Sequence, residues 1–393
     1  MTRLQFLFLN FYHILIDGLY DSIPILLTFI VFYFGGNEKQ IGLIVSSGSF
    51  VATACGLCTL FFSRRFNFRQ ILGFTAFLYG VGFLFNSFSQ SILYSGIFFV
   101  VAVAGHTVFH NVSFSFITNK TDRKVLGRAL SDFTAYGDIG RVPLTALSGY
   151  AAAVTISGIA GWRVLCFSYG ILILSVGAAL LLLKKEKKET QKEAPHKRKR
   201  VFPSFAVTHN KNIMLLLASS VINAFSSDQI FVFLPSLLLF KGFDHRILGS
   251  LAMGFTLGCF IGKTACGRLL DRYGTRKVFV ISQILLSALL ILLILSNSIS
   301  SVIIIALLLG IVTKGTIPVI QSMITEPLEN NEFYDDIFTL NGFARGGINV
   351  LSPILFGVVA SRSGPYYAFG IMSASALVTI LPMLRIKYQN REG

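Results

Sequence analysis

Charged side chains are scarce in this sequence. Asp, Glu, Lys and Arg account for only 13% of its 393 residues, about half the share in soluble globular domains. Apolar residues account for 53%, Phe alone occurs 38 times, and the mean hydropathy is +0.69. Apolar stretches of about twenty residues recur along nearly the whole chain. This composition excludes a water-soluble globular protein and indicates a chain that lies largely within a membrane.

Acidic residues are the rarer of the charged types. The chain has 18 Asp and Glu against 34 Lys and Arg, which gives a formal net charge of +16. A basic balance can indicate binding to nucleic acid. Here the excess lies in short loops and in one basic stretch, which is typical of the cytoplasmic faces of membrane proteins. We therefore expect the lipid bilayer, and no nucleic acid, as a partner.

Sequence motifs for enzyme chemistry are missing. The chain has no P-loop, no G-x-S-x-G turn and no H-E-x-x-H helix, so we predict no enzymatic activity and no cofactor. Its five cysteines all lie in apolar segments. Cys55 and Cys58 form a C-x-x-C pair, but no second pair or His ligand lies nearby in sequence, and we interpret the cysteines as packing residues.

Twelve segments are apolar and long enough to cross a membrane as helices. They cover approximately residues 5–33, 41–62, 70–88, 91–117, 127–153, 162–183, 212–240, 247–270, 276–295, 299–323, 335–360 and 365–384. A charged, apolar-poor stretch, KKEKKETQKEAPHKRKR (Lys184–Arg200), follows the sixth segment and is typical of a flexible cytoplasmic linker. We predict an all-α membrane protein of two six-helix bundles, residues 1–184 and 212–393, joined by a linker at residues 185–211.

Basic residues in the loops predict how the chain lies in the membrane. They follow the second, fourth, eighth and twelfth segments, at Arg64, Arg65, Arg69, Lys120, Arg123, Lys124, Arg268, Arg272, Arg276, Lys277, Arg385, Lys387 and Arg391. The alternate loops are short and poor in Lys and Arg. The positive-inside rule therefore predicts that both termini lie in the cytoplasm, with the chain in the inner (plasma) membrane.

The two halves of the sequence show a weak internal repeat. Subtracting 207 from positions in the second half places Asp228 on Asp21. With a shift of 205, FTLNG (338–342) falls on FTAYG (133–137). Two six-helix halves in parallel orientation are the pattern of a secondary transporter whose site lies at the midplane between them. Since the chain has no nucleotide site, the energy for transport must come from an ion gradient.

The loop GRLLDRYGTRK (Gly267–Lys277) resembles the signature G-x-x-x-D-R-x-G-x-R-K of the major facilitator superfamily. With the span count and the central linker, the resemblance covers nearly the whole chain. It implies the major facilitator fold, in a protein that we expect to be a monomer, and gating roles for residues of this loop: Asp271, Arg272, Gly267 and Gly274. The first-half copy of the loop is degraded, with Arg64 at the position of Asp271.

Two further stretches are similar to the fosmidomycin-resistance branch of that superfamily. One is the opening HILIDGLYDSIPIL, with its His-x-x-x-Asp followed by a polar turn and a proline. The other is GHTVFHNVSFSF (Gly105–Phe116), a glycine-containing fourth helix with Phe-His. This resemblance implies the export of an antibiotic-like compound.

Three ionisable residues, His13, Asp17 and Asp21, occur at intervals of four in the first segment. Residues four apart share one face of a helix, so they form a narrow stripe. Charge at the centre of a bilayer costs at least a few kcal/mol, so such a stripe must face the bundle interior or a water-filled cavity. We predict that it carries protons, with His13 near the cytoplasmic mouth. The alternative is that the carboxylates pair with a fixed partner or cap an unwound turn near Pro24.

Other segments supply further polar groups. His106 and His110 lie four apart on the fourth segment, and are either polar lining of the cavity or packing residues. His and Asp suit a metal ion, but nothing in the sequence fixes their distance to the first segment, so we predict no metal site. Asp138 and Arg141, three apart on the fifth segment, make either a structural ion pair or a substrate contact.

The second half adds Asp228, Lys263, Lys314 and Arg345 within its segments. We predict that Asp228 takes part in proton coupling and that Lys263 is an alternative ion-pair partner for it. Basic side chains in a cavity favour an anionic solute. The predicted substrate-binding residues are therefore His106, His110, Asp138, Arg141, Lys314 and Arg345.

The sequence thus predicts a secondary transporter that exports a small polar or anionic compound, such as an antibiotic-like molecule or a siderophore, in exchange for protons. Two alternatives stay open. One is a proton-coupled importer of a similar solute or of a metal chelate. The other is a membrane receptor or scaffold that does not transport.

Overall fold

The computed structural model describes residues 3–121, 123–182, 209–327 and 334–386. Nearly all of the predicted linker, up to residue 208, lies outside the described residues. The first half of the described chain consists of helices α1–α6 and a short hairpin. Their bounds are α1 Arg3–Tyr33, α2 Glu38–Arg65, α3 Phe68–Asn86, α4 Ile92–Lys120, α5 Arg123–Ala152, β1 Thr155–Ile156, β2 Ile159–Ala160 and α6 Gly161–Leu182.

The second half of the described chain consists of helices α7–α14. Their bounds are α7 Lys211–Ser227, α8 Ile230–Phe240, α9 Ile247–Tyr273, α10 Thr275–Leu295, α11 Ile299–Thr325, α12 Tyr334–Ser363, α13 Pro365–Val378 and α14 Ile380–Leu384. Helices α7 and α8 are two parts of one span, as are α13 and α14. We call each unbroken helix, and each of these two broken pairs, a rod. The described residues form twelve rods, six in each half, as predicted.

Among the described residues, ten of the rods contain a stretch that is long and apolar enough to cross a membrane. The other two, α2 and α5, occupy the places of the second and fifth predicted segments, and Gly, Ser and charged residues make them less apolar than the rest. The all-α fold class is confirmed. The one departure is the hairpin, whose two-residue turn has positive φ at Ser157 (51°) and Gly158 (82°), the backbone that suits a tight β-turn.

Two ends of the bundle differ in how closely the halves approach. We call the end where α6 finishes and α7 begins the linker end, and the end that carries the hairpin the far end. Near the far end, α5 packs on α9 and α2 packs on α12. There the hydroxyls of Tyr150 and Ser250 lie 2.5 Å apart, and the Ser46 hydroxyl donates to the Val350 carbonyl.

Contacts between the halves thin out toward the linker end. A Cβ on Gly149, near the far end, would lie 2.4 Å from the Gly249 nitrogen, so only glycine permits that approach. A Cβ on Gly267 or Gly342, nearer the linker end, would meet nothing within 4 Å among the described residues. Contacts between the halves are thus concentrated toward the far end, and we infer from this a cavity that is open toward the linker end.

Candidate functional site: a charged cluster between the halves

Asp17 lies at the centre of a cluster of polar side chains on α1, α4 and α5. One of its carboxylate oxygens, Oδ1, is 2.7 Å from His110 Nε2 and 3.5 Å from His106 Nε2. The other, Oδ2, accepts a hydrogen bond from Arg141 Nη2 at 2.8 Å and lies 3.4 Å from His13 Nε2. Only 3% of Asp17 is exposed. The structure thus brings five residues that sequence analysis proposed separately into mutual contact.

Close packing of α1 against α5 brings this cluster together. A Cβ on Gly18 would lie 2.5 Å from the Gly140 carbonyl oxygen, and one on Gly140 would lie 1.9 Å from the Ile14 carbonyl oxygen. Larger residues would therefore push the helices apart and remove Arg141 from the reach of Asp17. The absence of a side chain at Gly18 and Gly140 lets α1 and α5 approach closely enough for the ion pair to form.

Sequence analysis missed the residues that shape the cluster. A Cβ on Gly137 would lie 2.4 Å from Asp17 Oδ2 and 2.7 Å from His13 Nε2, so Gly137 leaves room for both groups. Phe133 stacks on His13, with ring centroids 4.0 Å apart, and Tyr20 stacks on His106 at 3.8 Å. The available signal was the spacing of 133, 137, 140, 141 and 144 on α5, which places them on one helix face.

His13 does not lie at a mouth, which corrects the prediction. Only 1% of it is exposed, and it lies inside the first half between α4 and α5. Among the described residues, neither ring nitrogen of His13 has a hydrogen-bond partner, and the same is true of His106 Nε2. The Nε2 atoms of His13 and His106 lie near the Asp17 carboxylate, at 3.4 and 3.5 Å, which is beyond ordinary hydrogen-bond distance.

Arg141 joins three carboxylates. Besides Asp17, its Nε lies 3.4 Å from Asp21 Oδ2, and its Nη1 lies 3.1 Å from Asp138 Oδ1. The predicted pairing of Asp138 with Arg141 within α5 is confirmed. One guanidinium serves all three acids because its five N–H groups point in several directions. The first half therefore holds its buried negative charge around a single cation.

Lys263 connects this network to the other half. Its Nζ donates to both oxygens of Asp138, at 2.6 and 2.7 Å, across the contact between α9 and α5. The expected pairing of Lys263 with Asp228 is wrong. Lys263 lies on a different face of the cavity, where the nearest carboxylate is that of α5, and Asp228 has its own cation. An ion pair between the halves is thus part of the cluster.

The second half has a simpler polar group. Asp228 ends α7 at the break before α8, and its Oδ2 accepts bonds from Arg345 Nη2 at 2.9 Å and Asn349 Nδ2 at 3.2 Å. Arg345 also donates to the carbonyl of Ser220 at 3.1 Å. Gln229 Nε2 lies 3.4 Å from the Asn349 carbonyl oxygen. The break in the helix places a carboxylate and an amide at mid-depth, as in transporters with discontinuous helices.

Lys314 on α11 is a cation with no acid of its own. Among the described residues, none forms an ion pair or hydrogen bond with it. The charged side chains of both halves are partly exposed, at 18% for Arg141, 29% for Lys263 and 19% for Arg345. Charged side chains that line a cavity between the halves are expected to be partly exposed in this way.

The four predicted gating residues lie away from the cluster, at the linker end of α9. Asp271 and Arg272 are exposed, and Gly274 takes a positive φ of 79° at the turn between α9 and α10. Arg272 lies over the Tyr273 ring at 5.3 Å. None of the described residues bonds to Asp271, and Gly267 has open space before it. These residues occupy the open end of the cavity.

One protein family has a sequence model that matches nearly the whole chain. The sequence model of the Major Facilitator Superfamily matches residues 6–249 and, in a second match, residues 240–392. No curated protein matches the chain in sequence. The match covers both halves, including the helices that carry the cluster.

Solved structures of similar fold are transporters. A bacterial homolog of the human lysosomal transporter Spinster, in an inward-facing and unoccupied conformation, has a TM-score of 0.75 at 14% identity, over 98% of this chain and 96% of that one. The nucleoside transporter NupG has a TM-score of 0.77 at 13% identity, over 99% and 100%. A D-xylose-proton symporter has a TM-score of 0.73 at 15% identity, over 97% and 95%. At these identities the likeness shows the fold alone.

Proposed function

Because the chain belongs to the Major Facilitator Superfamily, we propose that it is a proton-coupled secondary transporter that exports a small polar or anionic compound. The family and the fold indicate a transporter rather than an enzyme. The observation that carries the proposal is the series of ion pairs from Asp17 to Arg141, Asp138 and Lys263. It connects proton-accepting groups of the first half to the second half.

Proton coupling follows from the competition for Asp138. A proton added to Asp17 cancels its charge, so Arg141 then depends on Asp21 and Asp138 alone. Since Asp138 also holds Lys263, a stronger contact with Arg141 weakens the bond between the halves. Conformations of a transporter differ by only a few kcal/mol, so this loss is large enough to change their populations.

The histidines provide the route for the proton. His110 is 21% exposed and bonds to Asp17, so it can take a proton from the cavity and pass it to the carboxylate. His13 and His106 lie deeper and hold the second and third positions around Asp17. Imidazole is the side chain whose ordinary pKa lies nearest neutral pH. We assign the proton-coupling role to His13, Asp17 and Asp21, with Asp228 as the equivalent acid of the second half.

An anionic substrate is favoured by Lys314. A cation without an acid costs several kcal/mol in a membrane interior, and a carboxylate or phosphonate of the substrate would offset that cost. Arg345 and Arg141 line the same cavity and offer planar, two-pronged donors that suit such groups. We propose that the substrate contacts residues from both halves: His106, His110, Asp138, Arg141, Lys314 and Arg345.

Export and membrane sidedness form part of the proposal. The resemblance of the opening stretch and of Gly105–Phe116 to the fosmidomycin-resistance branch supports export of an antibiotic-like compound or a siderophore. The basic loops lie at the linker end, which supports placing that end and both termini in the cytoplasm. The cavity then opens inward. We expect the protein to work as a monomer in the inner (plasma) membrane, with two bundles that rock about the cavity.

Flux in reconstituted vesicles tests this function. Fosmidomycin and a panel of other small anions are offered to vesicles with an imposed pH gradient, and both the solute and the internal pH are followed. We expect accumulation of at least one anion against its gradient with counterflow of protons. The Asp17→Asn variant should lose it, while Asp244→Asn, which changes an exposed Asp of a loop, should not.

The direction of proton flow separates the alternatives. Protons that move with the solute would make the protein an importer. A chain that moves none of these solutes in either direction, and that changes no solute level when expressed in cells, would be a receptor or scaffold.

A further inference from the structure

Three histidines approach the Asp17 carboxylate. One ligand atom each from His13, Asp17 and His110 lies within 4.8 Å of the others. His106 Nε2 approaches the same carboxylate to 3.5 Å. The sequence alone predicted no metal site, because nothing in it fixed the distance between α1 and α4. The packed helices supply that distance.

The imidazole nitrogens are held apart from any hydrogen-bond partner. His13 is almost fully buried, yet its Nδ1 and Nε2 have no hydrogen-bond partner among the described residues, and neither has His106 Nε2. Buried polar atoms in folded proteins nearly always have a partner. Both Nε2 atoms are directed at Asp17. An occupant that bonds to a nitrogen lone pair and to a carboxylate would provide a partner for these Nε2 atoms.

The spacing fits a small divalent ion. Ligand atoms bonded at about 2.1 Å in a tetrahedron lie about 3.4 Å from one another. The separations from the Asp17 oxygens are 2.7 Å to His110, 3.5 Å to His106 and 3.4 Å to His13. Imidazole with carboxylate is the donor set that zinc, cobalt and nickel prefer over magnesium or calcium.

The charge of the network also allows a cation. The ion-paired groups are three acids, Asp17, Asp21 and Asp138, and two cations, Arg141 and Lys263. With neutral imidazoles, three negative and two positive charges leave a net charge of −1. Arg141 bonds to Oδ2 of Asp17, which leaves Oδ1, beside His110, to accept an ion, and a ring nitrogen of His13 lies within 4.8 Å of the other ligand atoms.

We propose that His13, Asp17 and His110 bind one divalent transition metal ion, which enters from the cavity past His110, with His106 beside the same carboxylate. Binding requires neutral imidazoles and an ionised carboxylate, so the ion occupies the groups that the proposed function assigns to protons. The inference rests on that function for its consequence, which is that a bound metal blocks proton coupling. The binding itself does not depend on transport.

Cobalt(II) titration of the purified full chain tests the site. The protein carries a tag other than polyhistidine, and binding is followed by the visible absorption of cobalt in a tetrahedral nitrogen and oxygen environment and by equilibrium dialysis. We expect one ion per chain. His110→Asn and His13→Asn should each weaken binding by at least about tenfold, the loss that even a change outside the ligand shell produces.

The matched control is His245→Asn, which changes an exposed histidine in the loop before α9. It should leave cobalt binding unchanged. Elution volume and thermal unfolding of each variant confirm that the fold is kept, and His106→Asn supplies a second test if a His13 variant does not fold. Absence of cobalt binding by the unaltered chain, or equal binding by the His110 and His245 variants, overturns the proposal. Cobalt binding without proton-coupled flux would support the metal site and contradict the proposed function. Proton-coupled flux without cobalt binding would support the proposed function and contradict the metal site.

Discussion

The first half and the second half each place an Arg–Asp pair at mid-depth, but the two sites differ in complexity. Arg345 contacts one acid, Asp228, and neutral groups complete the site. Arg141 contacts three acids, and three histidines surround one of them. Asp228 falls on Asp21 in the internal repeat, and α12 has the same place in its half as α5. Corresponding helices of the two halves thus carry a multi-residue cluster in one half and a single ion pair in the other.

We propose that the two sites contribute unequally to proton coupling. Groups that bind and release protons must be several and close, so that a gain of charge at one changes the bonds of the next. Groups that hold a solute need only fixed donors and acceptors. The first-half cluster holds several titratable groups in contact, whereas the second half has the single acid Asp228 with Arg345, Asn349 and Gln229 around it.

The largest effect should come from removing the shared cation. Arg141→Met leaves the buried acids Asp17 and Asp138 and the partly exposed Asp21 without it, and breaking a buried ion pair costs about 3–5 kcal/mol. Arg345→Met leaves one acid that still accepts a bond from Asn349, so we expect about 1–2 kcal/mol. Thermal and denaturant unfolding in detergent measure both. Equal losses would mean that the halves do not differ in this respect.

The second largest effect should be on proton-driven transport, and it should differ between acids of the two halves. Asp17→Asn should abolish uphill, proton-driven transport while the protein stays folded, because the amide cannot carry the charge that holds Arg141. Asp228→Asn should reduce coupling less than Asp17→Asn does, because Asp228 is bonded to one arginine and one amide and has no histidine around it. Accumulation in vesicles with and without a pH gradient distinguishes the two. Normal uphill transport by Asp17→Asn would remove Asp17 from the mechanism.

Substrate affinity should respond to Lys314 in the second half. Lys314→Ala should raise the substrate concentration for half-maximal transport roughly tenfold, because a hydrogen bond to a charged group contributes about 1.5–3 kcal/mol. Lys211→Ala, at the exposed start of α7, is the matched control and should have no effect. Lipophilic cations as the preferred substrates would contradict the anion hypothesis.

The smallest effect concerns the loops at the linker end, where the halves also differ. Asp271 follows α9, while the matching position of the first half is Arg64. By resemblance to the superfamily, Asp271 meets the start of α5 when the cytoplasmic side closes. A carboxylate at a helix N-terminus contributes about 0.3–1 kcal/mol. Asp271→Asn should therefore shift the population toward the inward-open form by a factor of up to about five.

Crosslinking measures this shift. Cysteines placed at positions 271 and 128 should form a disulfide in an outward-open state and not in an inward-open one. An Arg64→Ala variant is the control for the first-half loop and should leave the balance unchanged. Equal crosslinking in both locked states would show that the contact is not a gate.

Most of the fold was predictable from the sequence. Apolar length predicts the twelve rods, since a bilayer accepts only segments that satisfy their own backbone. The break at Asp228–Gln229, the small interruption at Thr379 and the hairpin at 155–160 were not predicted. Each depends on a few polar or small residues inside or between apolar runs, where hydropathy alone does not distinguish a bent span from a straight one.

The sequence by itself determined which residues had to avoid lipid. His13, Asp17 and Asp21 form a stripe because a helix repeats every 3.6 residues, and charge in a bilayer must face the interior. Only the tertiary structure decided which groups meet. Gly18 and Gly140 let α1 and α5 approach closely enough for Arg141 to reach Asp17. The contact of α5 with α9 places Lys263 beside Asp138, while Asp228 bonds to Arg345. Which side chains of different helices meet depends on how far each helix is shifted along its axis and rotated about it. The local spacing of residues in the sequence does not encode these two quantities.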